Sequence, residues 1–388
     1  MPQRSGVMTT GQQSTEGRAV RAVGPIIHEL EIDKAPLTVI MTKASGRLVP
    51  SGNTKVEWIE DTLPAQFDVL GANLTAGATT MVVTNYDYFC AGMLVQINRK
   101  EIVRVTATPT TTTVAIARAV GEESAAAATQ NDQLFIIGDS SEEGTDTSPI
   151  LMPTKTNPYN YMEITKTDIG WTGTAKASEV YGKSDPDVDR VKAIVKHARE
   201  LEKKYIVGQR YYTASGAISS KAHRTMRGVM TWISTNYQAM GGEMTQEEFE
   251  NHLRKVFRYG SNKKLLVASG KVISVINSFA QSKVTPAEFN STYGLKLSKY
   301  ITPFGDLDIA YSPLLENASL DDFNGLAGTG IILDIANLEV HHLPNRYMVH
   351  MMDTQDPGVD GEQEEILSEC TIKVAQEKMH SYFDGVTE

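Results

Sequence analysis

The sequence predicts an α+β fold in which a small all-β block interrupts a larger mixed body, and three observations carry that reading. Residues 73–138 are a series of short Val-, Ile- and Thr-rich stretches bounded by Gly, Asn, Asp and Pro, the mark of short strands at regular spacing. From Pro186 to Val207 the apolar residues recur every three to four positions within a charged background, which is the helical period. The rest of the chain mixes helical and strand patterns up to a β-rich C-terminal stretch.

Residues 1–24 hold mostly Gly, Gln, Ser, Thr and Arg and are expected to be disordered on their own. From Pro25 the chain turns more apolar, in Ile26-Ile27-His28-Glu29-Leu30 and then Ala35-Pro36-Leu37-Thr38-Val39-Ile40-Met41. This is where an arm begins to have something to dock with. Residues 38–65 alternate imperfectly and carry Gly46, Pro50, Gly52 and Pro64, with a period of two over Lys55-Val56-Glu57-Trp58-Ile59-Glu60. They read as a long hairpin or loop. A free hairpin is marginal in water, so this one is expected to lie on another surface. Arms and extended loops cannot bury themselves within one subunit, so the order of modules implies stability drawn from neighbouring copies.

In the β block the expected strands are 79–84, 93–98, 101–106, 113–117 and 133–137, forming a small sandwich or barrel. Thr110–Thr113 after Pro109 is a turn entering a strand, and Ala125–Ala128 is a helical turn or a loop. The polar bridge 138–148 ends the block, and its Glu142, Glu143 and Asp146 are those of a solvated linker. For the long helix, Asp185 is the N-cap, Pro186 suits the first position, and Asp187 and Asp189 complement the dipole. Its expected packing stripe is Val188, Val191, Ile194/Val195, Ala198, Leu201 and Tyr205, ending at Gly208. A capping box at Thr245 opens a second helix with Phe249, Leu253 and Val256/Phe257 on one face, ending at Gly260. Beyond it the pattern predicts a strand at 264–268, a helix at 270–280 and a hairpin at 300–311 with Gly305-Asp306 at its tip. A strand pair at 330–335 and 338–342 and a closing strand at 365–374 complete the body.

Composition excludes several classes. The chain has 388 residues, is 41% hydrophobic and carries a net charge of −10, so it buries sizeable cores and is no basic nucleic-acid-binding domain. Its two cysteines, Cys90 and Cys370, lie in different modules and make no disulfide framework. No secretory signal and no membrane-spanning run is present. Val267–Ser274 only glances at a phosphate loop, since Val272 stands where Ser or Thr is needed. His341 and His342, adjacent on a strand, face opposite ways and do not share a metal with His350. Asp353, Asp356 and Asp360 lack the EF-hand spacing. No catalytic, cofactor or metal residues are expected.

With that order in hand, the chain resembles the major capsid proteins of tailed bacteriophages of the Hong Kong 97 (HK97) type, in a branch with a β insertion near the extended loop. The residues that carry the resemblance are Val56-Glu57-Trp58-Ile59-Glu60-Asp61-Thr62-Leu63, Glu142-Glu143-Gly144 leading to Tyr159-Asn160-Tyr161-Met162-Glu163-Ile164, and the long helix after Asp185. The resemblance implies an HK97-like capsid fold. It would place an N-terminal arm at 1–35, an E-loop at 36–66, a β insertion domain at 67–140, and a peripheral domain with its spine helix at 141–214 and 341–388. The axial domain would be 215–340. It further implies identical subunits in hexamers and pentamers of an icosahedral head around double-stranded DNA. A portal, a separate scaffolding protein and a cement protein would be partners, with assembly in the host bacterial cytoplasm and residence in the virion. Some relatives crosslink Lys to Asn; Lys43 and Lys55 would be the loop candidates, but no Asn partner or catalytic Glu is identified and no crosslink is expected. Val39, Ile40, Trp58 and Ile59 are the expected inter-subunit contacts, since burying a large apolar side chain contributes roughly 1.5–3 kcal/mol. Two other readings stay open: an encapsulin-like compartment, and a carbohydrate-binding or hydrolytic enzyme gripping a ligand with its β block.

Overall fold

The computed structural model describes residues 35–141, 143–144, 155–178, 185–214, 221–279, 284–286, 298–316 and 326–387. The chain forms two compact units. One is Ile59–Pro158; the other comprises the residues up to Trp58 and from Tyr159 onward.

The larger unit is built on two sheets. The first runs in the order Leu48–Pro50, Leu338–His342, Gly361–Val374, Glu163–Thr172, with Val349–Met351 also paired to the long strand. The helix Asp185–Val207 packs on the strand Glu163–Thr172. The second sheet has seven strands, in the order Tyr237–Glu243, Ser381–Thr387, Gly330–Leu333, Lys263–Ala268, Gly305–Tyr311, Ser298–Thr302, Val284–Pro286. Its central strand Lys263–Ala268 is apolar without a break from Leu265 to Ala268 because both its faces are covered there. Leu265 and Val267 join a core with Leu201, Tyr205, Leu338 and Ile372. Leu266 and Ala268, pointing the other way, join Phe249, Leu253, Val272 and Ile276 from the helices Gln246–Val256 and Gly270–Phe279. The Thr245 capping box forms as read, with both reciprocal hydrogen bonds to Glu248.

The smaller unit has six strands in the order Phe67–Val69, Gln133–Asp139, Met93–Ile97, Ile102–Val105, Thr113–Ala117, Thr80–Val82. A bridge between Leu70 and Val83 joins the first strand to the last, closing the sheet into a small barrel filled by Leu70, Met81, Val95, Val103, Val114 and Leu134. Ala125–Ala128 is a loop. It is clasped by Glu101, which accepts from the Ala126 amide at 3.2 Å and, bidentately, from Arg118 at 2.7 and 2.6 Å.

Several expectations are corrected. Residues 38–65 read as a long hairpin or loop, and of the two the hairpin is not formed. Pro36–Lys43 is a helix, Leu48–Pro50 pairs in parallel with Leu338–His342, and Lys55–Glu57 pairs with Tyr159–Tyr161. The reason is the burial of Leu37, Ile40 and Met41 in the main core. The strands read as a pair at 330–335 and 338–342 belong to different sheets, because the turn Ile335–Asn337 redirects the chain. The final strand Ser381–Thr387 lies in the seven-stranded sheet and not with the other strands of 341–388. The stripe of the long helix also differs. Its N-terminal half buries Ala193 and His197, because Thr167 and Ser368 satisfy the imidazole at 2.9 and 2.7 Å. Residues 1–34, the bridge residues Glu142 and Asp146, and the Asp185 side chain lie outside the described residues.

Candidate assembly surfaces

The excursion Ile59–Pro158 leaves and re-enters the larger unit through a paired stem. Lys55–Glu57 runs antiparallel to Tyr159–Tyr161, and a bridge between Glu60 and Thr156 keeps the same register within the excursion. The stem is fastened on all sides. Trp58 packs on Trp232, ring centroids 5.5 Å apart, and the Arg227 guanidinium sits 4.4 Å over the far ring. Asn160 donates to the carbonyls of Arg227 and Ile372 at 3.0 and 2.8 Å and accepts from the Arg227 amide at 2.9 Å. Tyr159 has Lys55 at 4.2 Å and Arg210 at 4.0 Å from its ring. Just past this anchorage, Ile59 is 71% exposed and Leu63 91% exposed. Ile59 and Leu63 thus each present a large apolar side chain to solvent.

The residues expected to touch neighbouring copies therefore divide. Ile40 and Trp58 are buried within their own chain, and Val39 is half-buried in the helix Pro36–Lys43. Only Ile59 presents its side chain to solvent. The sequence pattern alone pointed equally to all four and did not single out the exposed Leu63. Its signal was a leucine followed by proline in an acidic stretch, where no core-forming period exists.

The helix Asp185–Val207 offers a second surface. Its outer face carries Val191 and Ile194, 62% and 50% exposed. Below it the helix is fastened to the sheet by Arg190, whose Nε reaches both Glu364 oxygens at 3.1 and 2.9 Å. His350 donates to the same carboxylate at 2.7 Å. The Arg190 guanidinium and then His350 hold Glu364 far below the usual carboxylate range, at about 2, against its burial. Trp171 donates to Asp189 at 2.9 Å. A groove of about 480 Å³ follows the strand Glu163–Thr172 at Thr167, Asp168 and Ile169, walled by Lys192, Lys196 and Lys203. In the smaller unit, Phe67, Gln96, Arg99 and Phe135 line a second hollow of about 410 Å³.

No chemistry gathers elsewhere among the described residues. The Gly270 amide at the turn that glanced at a phosphate loop is taken by Glu316. His341 bonds Glu339 at 3.1 Å and His342 the Leu343 carbonyl at 2.9 Å, so with His350 on Glu364 the three histidines part company. No group of three His, Cys, Asp or Glu residues is placed to hold a metal among the described residues. Cys90 and Cys370 are buried and free.

A long helix fastened on one sheet, a second mixed sheet flanked by helices, and an excursion launched from a paired stem define the HK97-like shell fold. The chain belongs to the SU10 major capsid protein family, whose model matches residues 6–387; it is a phage major capsid protein, a subunit of the virion that assembles with identical copies. No curated protein matches the chain. The capsid of cyanophage A-1(L) is similar at 10% identity and a TM-score of 0.50, covering 98% of this chain and 100% of that one. The capsid of a native GTA particle is similar at 10% identity and 0.48, covering 99% and 100%. The holo-SrpI encapsulin of Synechococcus elongatus is similar at 10% and 0.42, covering 60% and 76%. No described helix is long and apolar enough to cross a membrane.

Proposed function

We propose that copies of this chain join as hexamers and pentamers by laying the arms of the Ile59–Pro158 excursion on their neighbours, and that these close into an icosahedral head around double-stranded DNA. The observation that carries the reading is the exposure of Ile59 and Leu63 immediately beyond a stem locked by Trp58, Asn160 and Tyr159. The role is structural and not catalytic. Portal and scaffolding proteins are the expected accessory partners. A cement protein would find the apolar Phe67, Phe135 and Ile137 on the outer face of the barrel, all about half exposed.

The test replaces Ile59 and Leu63 together with serine. Closed particles seen by electron microscopy should disappear while the purified chain keeps its melting temperature. Normal heads from the double variant would refute the arm's role.

A further inference from the structure

The barrel's hollow of about 410 Å³ is lined by Phe67, Gln96, Arg99, Gln133 and Phe135. Sheet register builds it. Phe67 stands opposite Phe135 on one side, and Gln96 opposes the same Phe135 on the other. Gln133, two residues along its strand, shares the face. Both rings are half-exposed. Arg99 comes from the hairpin turn Ile97-Asn98-Arg99-Lys100, closed by the Lys100 amide on the Ile97 carbonyl at 3.0 Å. Asn98 and Arg99 have φ of 47° and 58°, and the second position of such a turn favours glycine. An arginine stands there instead. Neither Arg99 nor Lys100 has a side-chain partner among the described residues, and no acidic residue lines the hollow. It therefore offers two apolar rings beside unpaired positive charge.

The complement lies on the larger unit. Between the strands Val349–Met351 and Gly361–Val374 the chain runs through Met352-Asp353-Thr354-Gln355-Asp356-Pro357-Gly358-Val359-Asp360. Pro357 and Gly358, the latter at φ 93°, form a tight turn closed by the Val359 amide on the Asp356 carbonyl at 3.3 Å. Such a turn brings its end residues within about 7 Å of each other at Cα, so an acid and a valine stand side by side. Val359 and Met352 are more than half exposed. Asp353, Asp356 and Asp360 are exposed, and their side chains have no partner among the described residues.

We propose that this turn of one copy seats in the barrel hollow of a neighbouring copy. Val359 enters between Phe67 and Phe135, while Asp356 and Asp360 meet Arg99 and Lys100. The inference rests on the reading that the excursion lies on a neighbour, and it gives the two rings to a second copy in place of the cement protein offered above. Charge favours the copy. Each chain carries a net charge of −10, so identical copies repel as wholes and their contacts need local pairs of opposite sign. Hollow and turn supply such a pair, each beside exposed apolar side chains. Rings and valine alike are exposed within the single chain, which leaves a second copy to cover them.

The experiment co-assembles heads from full-length chains carrying only Gln133→Cys and chains carrying only Val359→Cys, then treats them with a short bis-maleimide; native Cys90 and Cys370 are buried. The expected product is a dimer of one chain of each kind, linked between positions 133 and 359 by peptide mapping. Intact mixed heads without that dimer would overturn the seat while leaving assembly itself standing. Doubly substituted chains linked only within themselves would overturn it too. A second protein linked at position 133 would give the hollow to a cement protein and so overturn it as well. Should Gln133→Cys fail to fold, Gln96→Cys reads the same contact. Independently, Arg99→Glu with Lys100→Glu should lower the yield of closed heads about tenfold, since like charges then face each other. Adding Asp356→Lys with Asp360→Lys should restore most of it. An unchanged yield, or a loss that the second pair of changes does not restore, would count against the proposal.

Discussion

Glu202 caps a helix whose Leu37 lies 165 residues before it: its carboxylate accepts from the Leu37 amide at 3.0 Å, the Thr38 amide at 2.6 Å and the Thr38 hydroxyl at 2.7 Å. Ala35, at the N-cap position, supplies no side-chain bond of its own. Glu202→Ala leaves buried donors unpaired and should destabilise the larger unit by about 3 kcal/mol, read as a lower urea midpoint. Glu202→Gln keeps one acceptor oxygen and should cost less. Burial raises the Glu202 pKa, against the bonds from Thr38 and Leu37. A raised folded pKa means stability that is present below the unfolded value of 4.5 and lost as pH rises through the folded one. The advantage of wild type over Glu202→Gln should therefore shrink as pH rises above about 4.5, and a gap that widens would refute this assignment.

Acid should loosen the protein in a defined window. His197, His252 and His380 are fully or almost fully buried, and burial lowers each pKa to about 4. Nearby Lys204, Lys255 and Lys264 respectively push the same way, while Asp334 opposes at His380. A depressed folded pKa means stability present above the unfolded value of 6.5 and lost as pH falls toward 4, up to about 3 kcal/mol for each histidine. Glu364, near 2, loses its contribution only between about 4.5 and 2, below that window. Urea midpoints at constant ionic strength should fall steadily from pH 6.5 to 4. His252→Gln, keeping a partner for Ser381 (2.5 Å from the imidazole), should flatten part of the slope. A midpoint independent of pH in this range would contradict the assignment.

What was legible in the sequence was local. The capping box at Thr245 needs only residues three apart, and both bonds are present. The barrel strands carry their own alternation, so the block from Thr80 to Asp139 was readable strand by strand. The helix Pro36–Lys43 was not, because its cap lies on Glu202 and its burial comes from Leu201 and Tyr205. The same long range hid the fate of Gly330–Leu333 and Leu338–His342. Neighbours in sequence, they pair with Lys263–Ala268 and Gly361–Val374 respectively. At the candidate surface, Trp58 and Ile59 look alike to any pattern. Only the position of Trp232 decides that one is buried and the next is not.

The smaller unit should fold by itself. Its barrel closes through Leu70 and Val83 and has its own core, so a fragment of residues 59–158 should melt cooperatively by circular dichroism. Within it Glu101 holds Arg118, whose side chain is 9% exposed, and also the Ala119 and Ala126 amides. Glu101→Ala strands a buried guanidinium and should cost about 3–5 kcal/mol. Calorimetry of the full chain should then show the transition of this unit moved down and that of the larger unit unchanged. A single transition shifting as a whole would mean that the two units do not unfold separately.

Gly330 lies opposite Phe383 in the seven-stranded sheet, and the aromatic ring covers the place where a side chain would stand. A Cβ at Gly330 would meet Cζ of the ring head-on and two more ring carbons at 2.8 and 2.9 Å. The ring has little room to retreat, since Phe249 and His252 meet it edge-on at 6.1 and 5.6 Å between centroids. Gly330→Ala should therefore destabilise by about 1–3 kcal/mol through overpacking, measured by urea unfolding. Gly52→Ala, with nothing within 4 Å of its would-be Cβ, should stay within about 0.5 kcal/mol of wild type. Shortening the ring with Phe383→Leu should make the alanine at 330 cheaper than it is in the wild-type background. Strict additivity of the two changes would show that the cost at Gly330 comes from its backbone and not from the ring.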